Sequence, residues 1–330
     1  MSGRVAKPKL YIDYLSYFQA AGLGIEFDDE TSNLNENYEE IISYNPQKTK
    51  YFTRSQSNYS FFKFIMGDQT DEIYKLISSM NFAAVCNHNQ YDAGQAFIIY
   101  GLNEEGYTQN INFNEIIGTN KNGFSLFDLL DFRGKGGIAL AVVGAPLNET
   151  NQLEIGSFLA GRTYSFPHNA NLSMNISYNA DGIKRTRTLG GSDIVDVNYY
   201  KQPLWGKNPP FVASNASGIG RTTFVGRRSW DLTFSFLTEN DVMPVDMGEN
   251  FMFDNQFTEE GNRQSYQTHT TENLVSHVMS LTMNGAIPMI LQPDDTINTF
   301  CMVRLKSNNF SIQQSAPNLY TAKLFFEEVF

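Results

Sequence analysis

Several residue types are scarce in this sequence, and each shortage excludes a class of protein. Only 2 of the 330 residues are Cys and 4 are His. Cys86 and Cys301 lie in separate apolar stretches, which predicts two buried thiols and no disulfide framework. The histidines have neither the i, i+4 spacing nor the carboxylate neighbour of a zinc helix, and they are His88, His168, His269 and His277. No metal ion or other cofactor is predicted.

Charged residues are also scarce, and acidic ones dominate. They make up 18% of the chain, with 24 Lys and Arg against 35 Asp and Glu, for a net charge of −11. Because phosphate binding needs clustered basic groups, we expect no nucleic-acid binding. No apolar run reaches the roughly 18 residues of a membrane helix, and the first residues lack a signal-peptide core. We therefore expect that the chain does not insert into a membrane. We also expect that it is synthesised in a cytoplasm and stays soluble inside the cell.

Apolar residues, in contrast, are plentiful. The chain has 26 Phe and 17 Tyr, and 41% of its residues are hydrophobic, which excludes intrinsic disorder. Frequent Asn, Ser and Gly favour turns and strand ends over helix interiors. A chain of this length usually forms two domains. The composition therefore predicts a mainly β fold with two domains.

The pattern along the chain locates the main elements. The segment Lys9–Phe18 is predicted to be a strand, and an acidic, Asn-rich arm follows from Glu26 to Glu40. Apolar residues spaced by three and four predict a short helix that begins near Asp71, and a second helix over 272–284, started by Thr270 or Thr271. Further strands are predicted over 82–86, 95–100, 137–144, 289–292, 299–306 and 319–330.

The region from residue 156 onwards carries two further patterns. Alternating residues in 172–178, the turn pair Asp181-Gly182 and the segment Ile183–Leu189 predict a hairpin. Four apolar residues alternate in a predicted half-buried strand, namely Trp230, Leu232, Phe234 and Phe236. Residues 202–220 are rich in Gly, Pro, Asn and Ser and are predicted to form a long loop.

Two segments partly match ligand-binding templates. The glycines of Gly156–Thr163 have the spacing of a phosphate loop, but Arg162 replaces the required Lys and Pro167 disfavours the helix that should follow. Five residues fit a calcium loop, namely Asp29, Thr31, Asn33, Asn37 and Glu40, but Leu34 occupies the position that needs Gly. We therefore predict neither a nucleotide site nor a calcium site.

No set of residues supports catalysis. The sequence has no Gly-x-Ser-x-Gly elbow, and both Cys lie in apolar strands. A polysaccharide hydrolase would need two carboxylates facing each other across a groove, and the sequence identifies no such pair. The chain is therefore predicted not to be an enzyme, and no catalytic residue is assigned.

Two parts of the chain resemble known proteins. The segment Phe82–Asn89, followed by Gly94 and an apolar strand, resembles the discoidin-like or galactose-binding-like jelly rolls of phage virion proteins. In that family the His-Asn turn caps the strand. The resemblance therefore implies a structural role for His88 and Asn89 and favours it over a role as sugar ligands. Three C-terminal segments are similar to structural proteins of tailed bacteriophages, especially distal tail or baseplate components, and they are Arg228–Leu237, Ile287–Asp294 and Leu319–Phe330.

Together these patterns predict two β-sandwich, jelly-roll-like domains with one or two short packed helices. Residues 1–50 form an N-terminal strand and arm, residues 51–155 a jelly-roll domain, and residues 156–330 a second sandwich that the first strand completes. The resemblance implies a location in the virion tail. There, a ring of copies would join the tail tube to tail-tip, baseplate or fibre proteins.

Alternative functions are a neck or capsid-associated virion protein and a carbohydrate-binding module for host recognition. In the second case exposed rings such as Tyr91 or Trp205 would stack on a host-surface glycan. In a ring, the loop aromatics Tyr91, Trp205 and Phe211 are expected at the contacts between subunits.

Overall fold

The computed structural model describes residues 6–27, 38–53, 58–66, 71–118, 123–148, 150–179, 183–197, 205, 227–243, 273–306 and 311–329. These residues form antiparallel sheets with few helices, and the predicted mainly β class is confirmed. The strands are β1 (Lys9–Asp13), β2 (Ile25–Phe27), β3 (Lys50–Phe52), β4 (Asn58–Met66), β5 (Phe82–His88), β6 (Gln95–Leu102), β7 (Thr108–Asn110), β8 (Phe113–Ile117), β9 (Phe124–Leu129), β10 (Gly137–Gly144), β11 (Leu153–Ser165), β12 (Asn175–Asn179), β13 (Ile183–Arg187), β14 (Asp193–Val197), β15 (Arg227–Leu237), β16 (Met289–Gln292), β17 (Cys301–Leu305), β18 (Ser311–Ala316) and β19 (Leu319–Glu328).

The helices in the described residues are short. They are α1 (Tyr14–Ala20), α2 (Asp71–Ser78), α3 (Glu239–Val242), a 3-10 turn (Tyr38–Ile41) and a π-helix (Leu274–Ser280). The predicted helix near Asp71 is confirmed as α2. The helix predicted over 272–284 is shorter, and the side chain of Asn273 caps it by accepting from the Ser276 N–H at 2.7 Å. Thr270 and Thr271, the predicted start, lie outside the described residues.

Strand β1 lies in the middle of the larger sheet. The order of that sheet is β12-β15-β19-β17-β16-β1-β11-β5-β9-β8, with β3 beside β11 and β18 beside β19. On one side Lys9 pairs with Ser165 of β11, and on the other Lys9 pairs with Gln292 of β16. The sheet therefore continues from the first predicted region into the second. The predicted boundary between residues 155 and 156 lies inside β11.

The smaller sheet has the order β2-β4-β10-β6-β7 and packs on the β5 and β11 part of the larger one. Phe64 of β4 stacks on Phe158 of β11 with 5.2 Å between ring centroids, and Phe62 meets Phe52 edge-on at 5.0 Å. The opposite face of the larger sheet buries a second apolar cluster. That cluster contains Tyr11, Phe82, Ala84, Cys86, Ile117, Phe124, Leu126, Leu159, Trp205, Ile290, Phe300 and Met302.

Asp13 ends β1 and begins α1, so the strand predicted over Lys9–Phe18 is wrong beyond Asp13. The main-chain N–H groups of Leu15 and Ser16 donate to Asp13 Oδ1 and Oδ2 at 3.2 and 3.0 Å. These bonds satisfy donors that the first helical turn leaves open. The N–H of Ala160, in β11, also donates to Asp13 Oδ1 at 3.0 Å. One buried carboxylate therefore caps a helix and holds it to the neighbouring strand.

The hairpin predicted across Asp181-Gly182 is wrong in its pairing. Strand β12 pairs with β15, while β13 pairs with β14. The turn between β13 and β14 contains Gly191 at φ +86°, which suits Gly because other residues rarely adopt that angle. Asp181 and Gly182 themselves lie outside the described residues.

We expect Asp13→Ala to lower the free energy of unfolding by about 2–4 kcal/mol, because it removes a helix cap and leaves the buried Ala160 N–H without its acceptor. Chemical denaturation would measure the loss. Asp131→Ala is the matched control, since Asp131 is exposed and pairs with the exposed Arg133, and such pairs contribute about 0–1 kcal/mol. Equal unfolding midpoints for Asp13→Ala and wild type would contradict this account of the fold.

Candidate functional site

The His-Asn turn after β5 is the first candidate site, and it is buried. His88 Nδ1 lies 3.3 Å from the Gln90 N–H and accepts from it, so Nε2 carries the proton when the ring is neutral. Nε2 lies 2.9 Å from Ser125 Oγ, and that hydroxyl lies 3.3 Å from Gln90 Oε1. The ring also meets Phe97 edge-on at 5.1 Å. Burial lowers the pKa of His88 to about 3, which keeps the imidazole neutral at pH 7.

Asn89 fastens the same turn to the start of β11. Its Nδ2 donates to the Gln152 carbonyl at 2.9 Å, and its Oδ1 accepts from the Glu154 N–H at 2.8 Å. Asn87 adopts a left-handed φ of 52° and donates to the Pro46 carbonyl at 2.7 Å. The side chains of His88 and Asn89 thus join strands and loops, which agrees with the structural role that the resemblance implies.

Of the three loop aromatics expected at a surface, the structure places two. Tyr91 is exposed, with 48% of its surface accessible. Trp205 is fully buried in the second cluster, 6.4 Å from the ring of Phe124, so the expectation that it stacks on a sugar or meets a subunit is wrong. Phe211 lies outside the described residues. Composition had indicated a loop around Trp205, but a Trp in such a loop can still pack on a sheet.

The segment with phosphate-loop spacing is part of a strand. Gly156–Thr163 runs through β11 and opens no helix. A side chain at Gly156 would collide with the Pro46 carbonyl, and one at Gly161 with the Ile12 carbonyl. Both glycines therefore allow close approach of neighbouring main chains, and phosphate binding does not explain their spacing.

The calcium-loop positions Asp29, Thr31, Asn33 and Asn37 lie outside the described residues. Glu40, the last of the five, pairs with Lys50 and lies 3.5 Å from Lys48. The hydrogen bond from Lys50 lowers the pKa of this carboxyl group. Glu40 therefore joins the 3-10 turn to β3.

The two thiols are buried and separate, as predicted. Burial raises the pKa of Cys301 to about 12 and that of Cys86 further, so neither is a thiolate at neutral pH. His168 is exposed, His277 packs between the rings of Tyr14 and Tyr164, and His269 lies outside the described residues. Within the described part of the chain no three His, Cys, Asp or Glu residues form a metal-binding group. Across the same residues, no helix has the length and apolar character needed to cross a bilayer.

The buried ion pair between β15 and β19 is a structural contact. Arg228 donates through Nη2 and Nε to Glu328 at 2.6 and 3.0 Å, and its main-chain N–H donates to the same carboxylate at 3.0 Å. The guanidinium group also lies over the ring of Trp230, 5.1 Å from its centroid. The hydrogen bonds to Glu328 fix β19 to β15, and the contact with Trp230 positions the guanidinium group within β15.

Among the exposed apolar side chains of the described residues, two groups are distinguished by their position in the fold. The first is the hairpin β13–β14, which forms a separate two-stranded sheet. Its exposed aliphatic side chains are Leu189, Ile194 and Val195. The second is the end of β15, where Phe236 is 72% exposed and Leu172 is fully exposed nearby. The sequence had predicted Phe236 in the buried row with Trp230, and that part of the prediction is wrong.

Comparison with known proteins adds little to this geometry. No family model and no curated protein matches the chain. One solved structure aligns along much of it, a crystal structure of a DUF4466 family protein from Parabacteroides merdae. The two are 10% identical with a TM-score of 0.21, and the alignment covers 86% of this chain and 98% of that one. At that score the likeness carries no argument about fold or function.

Because His88 is buried and neutral, we expect a pH-dependent effect of His88→Gln. The pKa of His88 is about 3 in the folded protein and about 6.5 for an unperturbed histidine, so between these limits the unfolded chain binds one more proton than the folded chain. As the pH falls from 6.5 towards 3, the wild type should lose about 1.4 kcal/mol of stability per pH unit relative to His88→Gln. Denaturation at several pH values would measure the difference.

The exposed His168 provides the control. The difference in unfolding free energy between His168→Gln and wild type should not follow the pH trend expected for His88→Gln. A constant difference between His88→Gln and wild type from pH 7 to pH 4.5 would contradict the buried, neutral assignment of His88.

Proposed function

We propose that this chain is a structural subunit of a phage tail, which assembles with other copies into a ring. In that role it joins the tail tube to tail-tip, baseplate or fibre proteins. The observation that carries the proposal is the exposed β13–β14 hairpin, a separate two-stranded sheet with aliphatic side chains in solvent. The resemblance of the C-terminal segments to tail proteins supplies the identity of the assembly.

The physical argument concerns the stability of the hairpin. A two-stranded sheet alone in water is at best marginally stable. Within the described residues β13 and β14 pair only with each other, and the side chains of Lys184 through Arg187 are all exposed. A neighbouring subunit that covers the aliphatic residues would stabilise the hairpin. Repeating such a contact around an axis gives a closed ring.

The carbohydrate-binding alternative is less well supported. Of the two rings proposed for stacking on a glycan, Trp205 is buried and Tyr91 alone is exposed. The side chains of His88 and Asn89, the other candidates, already form hydrogen bonds within the fold. No further observation favours this function.

The proposal predicts that the purified full-length chain forms a closed oligomer of fixed size. Native mass spectrometry gives the copy number, and negative-stain electron microscopy shows whether the oligomer is a ring. The hairpin, exposed in the single subunit, should also gain protection from hydrogen exchange as the protein concentration rises and a neighbouring copy covers it. A protein that stays monomeric at every concentration would exclude a self-assembling ring.

Immunogold labelling of purified particles tests the location separately. We expect label at the end of the tail. Label at the neck or on the capsid would overturn the assignment to the tail tip and favour the neck or capsid alternative. Particles that lack the chain would overturn the virion assignment altogether.

A further inference from the structure

Phe236 has an unusual backbone conformation at an exposed position. Its φ is +63°, in the left-handed region that bulky side chains rarely occupy. The pairing of β15 with β19 shifts between Phe234 and Leu237, so Phe236 lies in a β-bulge. Gly is the usual residue at the left-handed position of one class of bulge. The fold therefore tolerates strain here while it exposes an aromatic ring.

Two further exposed residues, Leu172 and Glu239, lie at the same end of β15 as this ring. The Asn171 N–H donates to the Thr233 carbonyl at 2.8 Å, and its side chain donates to Ser235 Oγ at 2.9 Å. Those bonds hold the fully exposed Leu172 beside the end of β15. Glu239, in the first turn of α3, is exposed three residues after Phe236. We call these three exposed residues at one end of β15, Phe236, Leu172 and Glu239, the bulge patch, which has two apolar side chains and one acidic side chain.

The β13–β14 hairpin has the complementary character. Its aliphatic residues Ile194 and Val195 are half-exposed and, as neighbours in one strand, point to opposite faces of the hairpin. Strand β13 carries three basic residues within four positions. Lys184 and Arg187 stand opposite Asp196 and Asp193 of β14. Arg185 stands opposite the apolar Val195 instead. One face of the hairpin thus presents the cation Arg185 beside the aliphatic Val195, although the whole chain has a net charge of −11.

We propose that the bulge patch of one copy binds the β13–β14 hairpin of a second copy. Phe236 and Leu172 pack on Val195, and Glu239 pairs with Arg185, which lies on the same face of the hairpin as Val195. The two surfaces are different, so the contact is head-to-tail and each copy still has one free surface of each kind. Such a contact closes into a ring when the rotation between neighbouring copies divides a full turn, and it otherwise gives an open filament. The inference rests on the proposed function and names the surfaces that make the ring.

The strain at Phe236 allows a test in which stability and assembly change in opposite directions. Phe236→Gly and Phe236→Asn place residues that accept a positive φ at the bulge, so the isolated subunit should unfold at a higher denaturant concentration. Both remove the apolar ring, so the association constant should fall by about tenfold or more. Phe236→Leu keeps an apolar side chain and should retain assembly. Tyr107→Ser, at an exposed aromatic in another part of the chain, is the control and should assemble as the wild type does.

Charge reversal tests the pairing of the two surfaces. Arg185→Glu and Glu239→Lys should each weaken assembly when present alone. A one-to-one mixture of the two variant chains should associate again, because both kinds of contact between unlike chains then join opposite charges. Sedimentation velocity on the single variants and on the mixture measures this.

The possible results separate the inference from the proposed function. If the wild type forms rings and the Phe236 and charge variants form them equally well, the bulge patch is excluded as the contact surface. The proposed ring itself is then supported. If the mixture fails to associate while each single variant is weakened, the pairing of Arg185 with Glu239 is excluded. If the wild type is monomeric, both the inference and the self-assembling ring are overturned.

Discussion

The position of β1 between β11 and β16 is the constraint on which the larger sheet depends. Strands from the first half of the chain lie on one side of β1, and strands from the second half lie on the other. The ladder across β1 joins residues that are about 150 and 280 positions apart in sequence, as in the pairs Leu10 with Tyr164 and Leu10 with Leu291. Neither half completes this sheet alone. Asp13 then turns the chain away from the sheet and fixes α1 against β11.

The buried polar groups give the fold opposing responses to pH. Burial raises the pKa of Asp13 to about 6, despite hydrogen bonds from Ser16, Ala160 and Leu15 that favour the carboxylate. Since the folded chain then holds this proton more tightly, the Asp13 contribution increases stability as the pH falls from 6 towards 4. His88 acts in the opposite direction over the same range, because its pKa is lowered. The two effects partly offset each other, and single variants are needed to separate them.

Local patterns predicted the elements whose side chains follow one period. Strands β10 and β16 have the predicted bounds, and Trp230, Leu232 and Phe234 alternate into the core as expected. The prediction of elements failed where one polar side chain or one extra residue interrupts the regular spacing of apolar side chains. The Asp13 cap starts a helix among residues typical of strands, and the bulge at Phe236 shifts the alternation by one residue. Neither break is visible in a count of apolar spacing.

The candidate surfaces were harder to predict, because the exposure of a side chain depends on which distant parts of the chain pack against it. Trp205 lies among residues that predict a loop, yet long-range packing against Phe124 buries it. Phe236 lies in a row that predicts burial, yet the bulge exposes it. An apolar ring held in solvent by a strained backbone costs stability through its conformation, and it gains none from burial. The subunit contact proposed for Phe236 would bury the side chain and leave its backbone conformation unchanged, so the strain would persist in the proposed assembly.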